Sequence, residues 1–145
     1  MITVERSFDV DKPVDVVIEY LKDFAHAEEW DPGTKSCTQE SAGPVAVGTT
    51  WHNVSAIKGR ETQLTYELTR LEAGRLTFRG TNKTATSTDD IRVEASAAGG
   101  STITYNAQIQ FHGIAKVAGP FLDGEFERLG DETRDSMTAA IGRLG

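Results

Sequence analysis

A single cysteine in 145 residues excludes an intrachain disulfide framework. It fits a reducing compartment, so the chain is expected in the cytoplasm. No apolar run approaches the ~20 residues that a membrane-spanning helix needs. The N-terminus starts a strand-like pattern at once, without the basic-then-apolar layout of a secretion signal. For that reason the sequons Asn53-Val54-Ser55 and Asn82-Lys83-Thr84 read as chance matches. Positive charge is scarce: 15 Lys and Arg against 22 Asp and Glu leave a net charge of -7. Phosphate-binding surfaces need clustered cations, so no nucleic-acid partner is expected, and anionic membrane surfaces are disfavoured likewise. A small molecule or another protein remains as partner.

The usual catalytic signatures are missing too. There is no Gly-x-Ser-x-Gly, no paired-histidine metal helix and no glycine-rich phosphate or dinucleotide loop. His26, His52 and His112 stand far apart and read as surface or loop residues. Cys37 has no base nearby in sequence and reads as a buried or inert thiol. Neither a metal nor a cofactor is expected. No repeat, linker or low-complexity segment divides the chain, which is sized for one domain over residues 1–145.

What is present is alternation, then one long helical stripe. Ile2, Val4, Phe8 and Val10 alternate with polar residues in a half-buried strand, with Arg6 on its apolar side. Pro13 at a first helical position opens a short helix with the stripe Val14, Val17, Ile18 and Leu21. A second short helix or turn covers Ala25 to Trp30 and stops at Asp31-Pro32-Gly33. Thr34 to Ser41 suits an edge strand. A Lys58-Gly59 hairpin turn sets Trp51 opposite Tyr66, Asn53 opposite Leu64 and Ser55 opposite Thr62.

The next turn is expected to have three residues, Glu72-Ala73-Gly74 with Gly74 left-handed. A two-residue turn would set Phe78 opposite Thr69, on the wrong face; three residues set Leu68 opposite Phe78 and Tyr66 opposite Gly80. Asn82-Lys83 makes the following turn, after which Asp89, Ile91 and Val93 point inward. Ile103, Tyr105, Ala107, Ile109 and Phe111 form the cleanest alternation of all. From about Ala115 to Leu144 the apolar positions Leu122, Phe126, Leu129, Met137 and Ile141 recur at helical steps. Gly119-Pro120, Gly124 and Gly130 interrupt that helix, for close packing, a late start or mobility. The architecture expected is α+β: six to seven antiparallel strands, curved around a long C-terminal helix, with two short helices after the first strand.

This element order, with Asp11-Lys12-Pro13, Trp30-Asp31-Pro32-Gly33 and Val47-Gly48-Thr49 at its junctions, resembles the START-like helix-grip superfamily. Within it, the polyketide cyclase/dehydrase-like (SRPBCC) branch is the nearest, over essentially the whole chain. The resemblance implies a hydrophobic ligand between sheet and helix, aromatic, polyketide-like or lipid-like. It licenses no catalytic residue.

The inward-facing set supplies candidates for that ligand site: Trp51, Asn53, Tyr66, Phe78, Tyr105 and Phe111 from the sheet, Phe121 and Phe126 from the helix. A packed aromatic core is the alternative to a cavity. Asp89 either lies near a strand end and reaches water, or lines the cavity, where Arg6 has the parity to pair with it. In the cavity it would serve as general acid or base on a carbonyl compound, with Tyr66 or Tyr105 donating to an oxyanion. Three functions therefore stand: a hydrophobic-ligand carrier, a polyketide cyclase or dehydratase, and a protein-interaction module docking through the acidic helix face.

Overall fold

Seven strands, most of them alternating apolar and polar side chains, pair into one antiparallel sheet. In chain order the elements are β1 (Ile2–Val10), α1 (Val14–Leu21), a 3-10 turn (Phe24–His26), α2 (Ala27–Trp30), β2 (Thr34–Gln39), β3 (Thr50–Ile57), β4 (Arg60–Glu72), β5 (Arg75–Thr81), β6 (Ala85–Ala95), β7 (Ser101–Phe111) and α3 (Asp123–Gly142). The structure, a computed structural model, describes residues 1–57, 59–113 and 123–145. Lys58 of the expected hairpin turn, the expected helix start at Ala115, the Gly119-Pro120 break, Phe121 and Leu122 lie outside the described residues.

The strand order is β1-β7-β6-β5-β4-β3-β2, a meander whose far edge is closed by the first strand pairing with the last. β2 is the other edge, as its polar sequence suggested. The β3–β4 register sets Trp51 opposite Tyr66, Asn53 opposite Leu64 and Ser55 opposite Thr62. Two details differ from expectation. Pro13 precedes α1 in extended backbone (φ -68, ψ 160) instead of occupying its first turn.

The second detail is how the β4–β5 register is reached. Leu68 does face Phe78 and Tyr66 does face Gly80, but Glu72 pairs with Arg75 across a two-residue Ala73-Gly74 turn. The extra residue is Thr69, bulged out between Leu68 and Arg70. A bulge restores parity as well as a longer loop does, and it also bends the strand. Gly74 is not left-handed. Its carbonyl accepts from the Val93 N–H at 2.9 Å, and a Cβ there would sit 2.9 Å from the Val93 carbonyl oxygen. Close backbone approach is what requires the glycine.

α3 lies across β1 and against α2. Phe126, Thr133, Met137, Ala140 and Ile141 are buried along one face, as the stripe predicts. Gly130 lets the helix come close, because a Cβ there would collide with Val4. Arg6 then ties strand to helix: its Nε donates to Asp131 Oδ1 at 2.8 Å and its Nη2 to Glu127 Oε2 at 2.9 Å. Arg6 is thus spent on α3 and does not pair with Asp89.

One half of the space between sheet and helix is solid. Phe24 fills it, its ring centroid 4.4 Å from that of Tyr66 and 4.5 Å from that of Phe78, with Trp30 and Trp51 edge-on to it. Leu68, Leu76, Ile91, Ile103, Met137 and Ile141 complete this fully buried block. Burial of such side chains stabilises by roughly 1.5–3 kcal/mol each. The other half is left unfilled by the described residues.

Candidate functional site

The unfilled half is a cavity of about 610 Å³ between the sheet and the first half of α3, within the ~300–1,000 Å³ typical of small-molecule sites. Its walls follow from strand parity. Val4 of β1, Leu64 and Tyr66 of β4, Ser87 and Asp89 of β6, and Tyr105, Ala107, Ile109 and Phe111 of β7 all project into it. Phe126, Leu129, Gly130 and Thr133 of α3 form the roof. Arg60 and Glu61 at the start of β4 and Thr84 just before β6 also line it and are exposed, and they mark the mouth.

Buried polar groups also line the cavity. Asp89 lies in the middle of β6 and is only 4% exposed, so it lines the cavity and does not reach bulk water from a strand end. Tyr105 donates to Asp89 Oδ2 at 3.2 Å. Burial pushes the Asp89 carboxyl up to about 7, and the negative charge of Asp31 adds to the shift. Asp31 itself lines the cavity from just beyond α2, and burial raises its carboxyl too. Its Oδ1 accepts from the Gly33 N–H at 3.0 Å and its Oδ2 from the Thr34 hydroxyl at 2.9 Å. Burial and the facing carboxylates hold the Tyr66 and Tyr105 phenols far above their ordinary value, so both stay protonated donors. Chemically, the arrangement is an apolar chamber with two carboxyl groups and two phenols inside it.

Of the residues the sequence singled out, Tyr66, Tyr105, Phe111 and Phe126 line the cavity, the last two with ring centroids 6.5 Å apart. Trp51 and Phe78 do not: Phe24 covers both, and they belong to the solid block. Asn53 stands one layer behind the wall, donating to Thr34 Oγ1 at 3.2 Å and so buttressing the Thr34–Asp31 contact. Phe121 lies outside the described residues. Cys37 is buried, and burial pushes its thiol up to about 12, an inert state.

In sequence Asp31 shows only as part of a helix stop, and nothing marks it as a cavity residue. Leu21, Phe24, Ala27 and Trp30 at steps of three mark an inward ridge, and Phe24 is the side chain that plugs part of the groove.

A profile of the family described as polyketide cyclase / dehydrase and lipid transport matches residues 1–144. The chain belongs to this family. Solved structures share the polyketide cyclase/dehydrase and lipid transport fold at low identity. The Zhui aromatase/cyclase from Streptomyces superposes with a TM-score of 0.80 at 15% identity, covering 97% of this chain and 93% of that one. A START superfamily protein from Mycobacterium smegmatis gives 0.80 at 10% identity, covering 99% of each chain. The STAR-related lipid transfer protein from Xanthomonas axonopodis gives 0.75 at 12% identity, covering 96% and 85%. At such identities the likeness is one of fold. A comparison with curated proteins by sequence finds no match. No described helix is long and apolar enough to cross a membrane.

Proposed function

We propose that the protein binds one small, largely hydrophobic molecule in the cavity between the sheet and α3. The observation that carries this reading is the cavity itself: a space of about 610 Å³ with aliphatic and aromatic side chains on its sheet and helix walls, and Asp31, Asp89, Tyr66 and Tyr105 among its polar groups. A protein interior is normally packed without voids of this size, so the unfilled half is space kept for an occupant. Family membership supports the same reading. The test is titration with Nile red, a neutral solvatochromic dye small enough to enter. One dye should bind per chain with a blue-shifted emission. Ala107→Trp, which places an indole amid the cavity, should abolish this without unfolding the protein.

A second reading is favoured by one specific observation. Asp89, with a carboxyl near 7 and a phenol donating to it, sits where a general acid or base works best at neutral pH. On a bound carbonyl compound it would move the proton of an enolisation, with Tyr66 donating to the developing oxyanion. That is the chemistry of an aldol-type cyclase or dehydratase. Asp89→Asn would then lose turnover of a poly-β-ketone while still binding Nile red.

A further inference from the structure

We infer that the occupant of this cavity carries a cationic amine, seated between Asp31 and Asp89. The inference rests on the ligand-binding reading above and narrows it to a chemical class. Two carboxyl groups from separate elements, one beyond α2 and one in β6, face the same cavity. Among the described residues neither has a cationic partner. Asp31 is met by a backbone N–H and a hydroxyl, and Asp89 Oδ2 by a phenol. Nearby cations are engaged elsewhere, Arg6 with Asp131 and Glu127, Lys35 with Glu61. Arg60 lines the mouth and is exposed.

Buried carboxylates without a counter-charge are costly, and they either take up protons or find a cation. An Asx turn accounts for Asp31 locally, since its oxygens cap the chain at Gly33 and Thr34. No such local role exists for Asp89, whose only side-chain hydrogen bond among the described residues is to Tyr105. An ammonium group offers three donors and a full positive charge to this pair. An alcohol offers one donor and no charge. A fatty-acid carboxylate would bring a third negative charge into the chamber.

The pH response follows from all the groups that face the site. Among the described residues these are Asp31, Asp89, Tyr66 and Tyr105 inside, with Arg60 and Glu61 at the mouth. The lining residues of β1 and α3 are not ionisable. Between pH 5 and 8 the phenols stay neutral, so Asp89, with its carboxyl near 7, changes charge there while an alkylamine stays cationic. Amine affinity should therefore fall as the pH drops.

The decisive experiment is calorimetric titration of the full chain with octylamine, 1-octanol and octanoate. At pH 8, octylamine should bind at least tenfold more tightly than 1-octanol, and octanoate should not bind. At pH 5 the advantage of the amine should shrink at least tenfold. Asp89→Asn should remove most of that advantage, so that octylamine and 1-octanol bind within a few-fold of each other. If Asp31→Asn fails to fold because its turn is lost, Asp89→Asn alone decides. Equal binding of alcohol and amine, or preference for octanoate, would overturn the inference and leave the ligand reading standing. Failure of all three ligands and of Nile red would overturn both.

Discussion

Tyr105 donates its phenolic hydrogen to Asp89 from a diagonal position on the neighbouring strand: Tyr105 pairs with Ile91, and Asp89 with Ala107. Strand parity alone turns both side chains to the concave face. There the hydrogen bond favours the carboxylate, and burial opposes it. Burial wins, and the carboxyl titrates near 7.

That balance makes stability depend on pH in a definite direction. A carboxyl titrates at about 3.9 in the unfolded chain, and here at about 7 in the folded one. The folded state therefore holds the proton more tightly. Its contribution is fully present below pH ~4 and is lost as pH rises through about 7. Asp89→Asn keeps an acceptor for Tyr105 and cannot ionise. In denaturant titrations its advantage over the unaltered chain should grow across this window, up to about 4 kcal/mol at ~1.4 kcal/mol per pH unit. Parallel stability curves would show that Asp89 is not held protonated by burial.

Gly80 positions the Tyr66 ring. The two are cross-strand partners, and a Cβ at Gly80 would lie 2.5 Å from the Tyr66 ring. Gly80→Ala should displace the ring, cost ~1–3 kcal/mol of stability as overpacking does, and shift Nile red affinity. A variant with unchanged stability and affinity would place Tyr66 elsewhere.

The two described glycines near the start of α3 should respond oppositely to alanine. Gly124 has open space around it, so Gly124→Ala should stabilise by up to about 1 kcal/mol through helix propensity. At Gly130 the new methyl meets Val4 and the Arg6 guanidinium. Gly130→Ala should therefore destabilise by roughly 1–3 kcal/mol despite the better propensity. Thermal melts of the two variants decide; stabilisation by both would mean that α3 does not press on β1.

Much of this fold was legible because it rests on periodicity. Alternation in β6 and β7 turned Asp89, Tyr105 and Phe111 inward, and the helical stripe placed Phe126 and Met137 on one face. Parity fixes the β4–β5 pairing but cannot distinguish a longer turn from a bulge at Thr69. The site was half legible. An inward direction does not say whether space remains in front of a side chain, and Phe24 takes that space from Trp51 and Phe78. Asp31 belongs to no strand or helix, so no periodicity pointed to it; only the return of the chain beyond α2 brings it to the cavity wall.

Native mass spectrometry of freshly purified protein, run beside Ala107→Trp, tests the ligand-holding cavity most directly. The account expects the unaltered chain to carry one added mass of a few hundred daltons, or to take up one equivalent of Nile red if it arrives empty. Ala107→Trp should fly at its bare mass under both conditions. An unaltered chain that stays bare even with the dye present, indistinguishable from the variant, would contradict it.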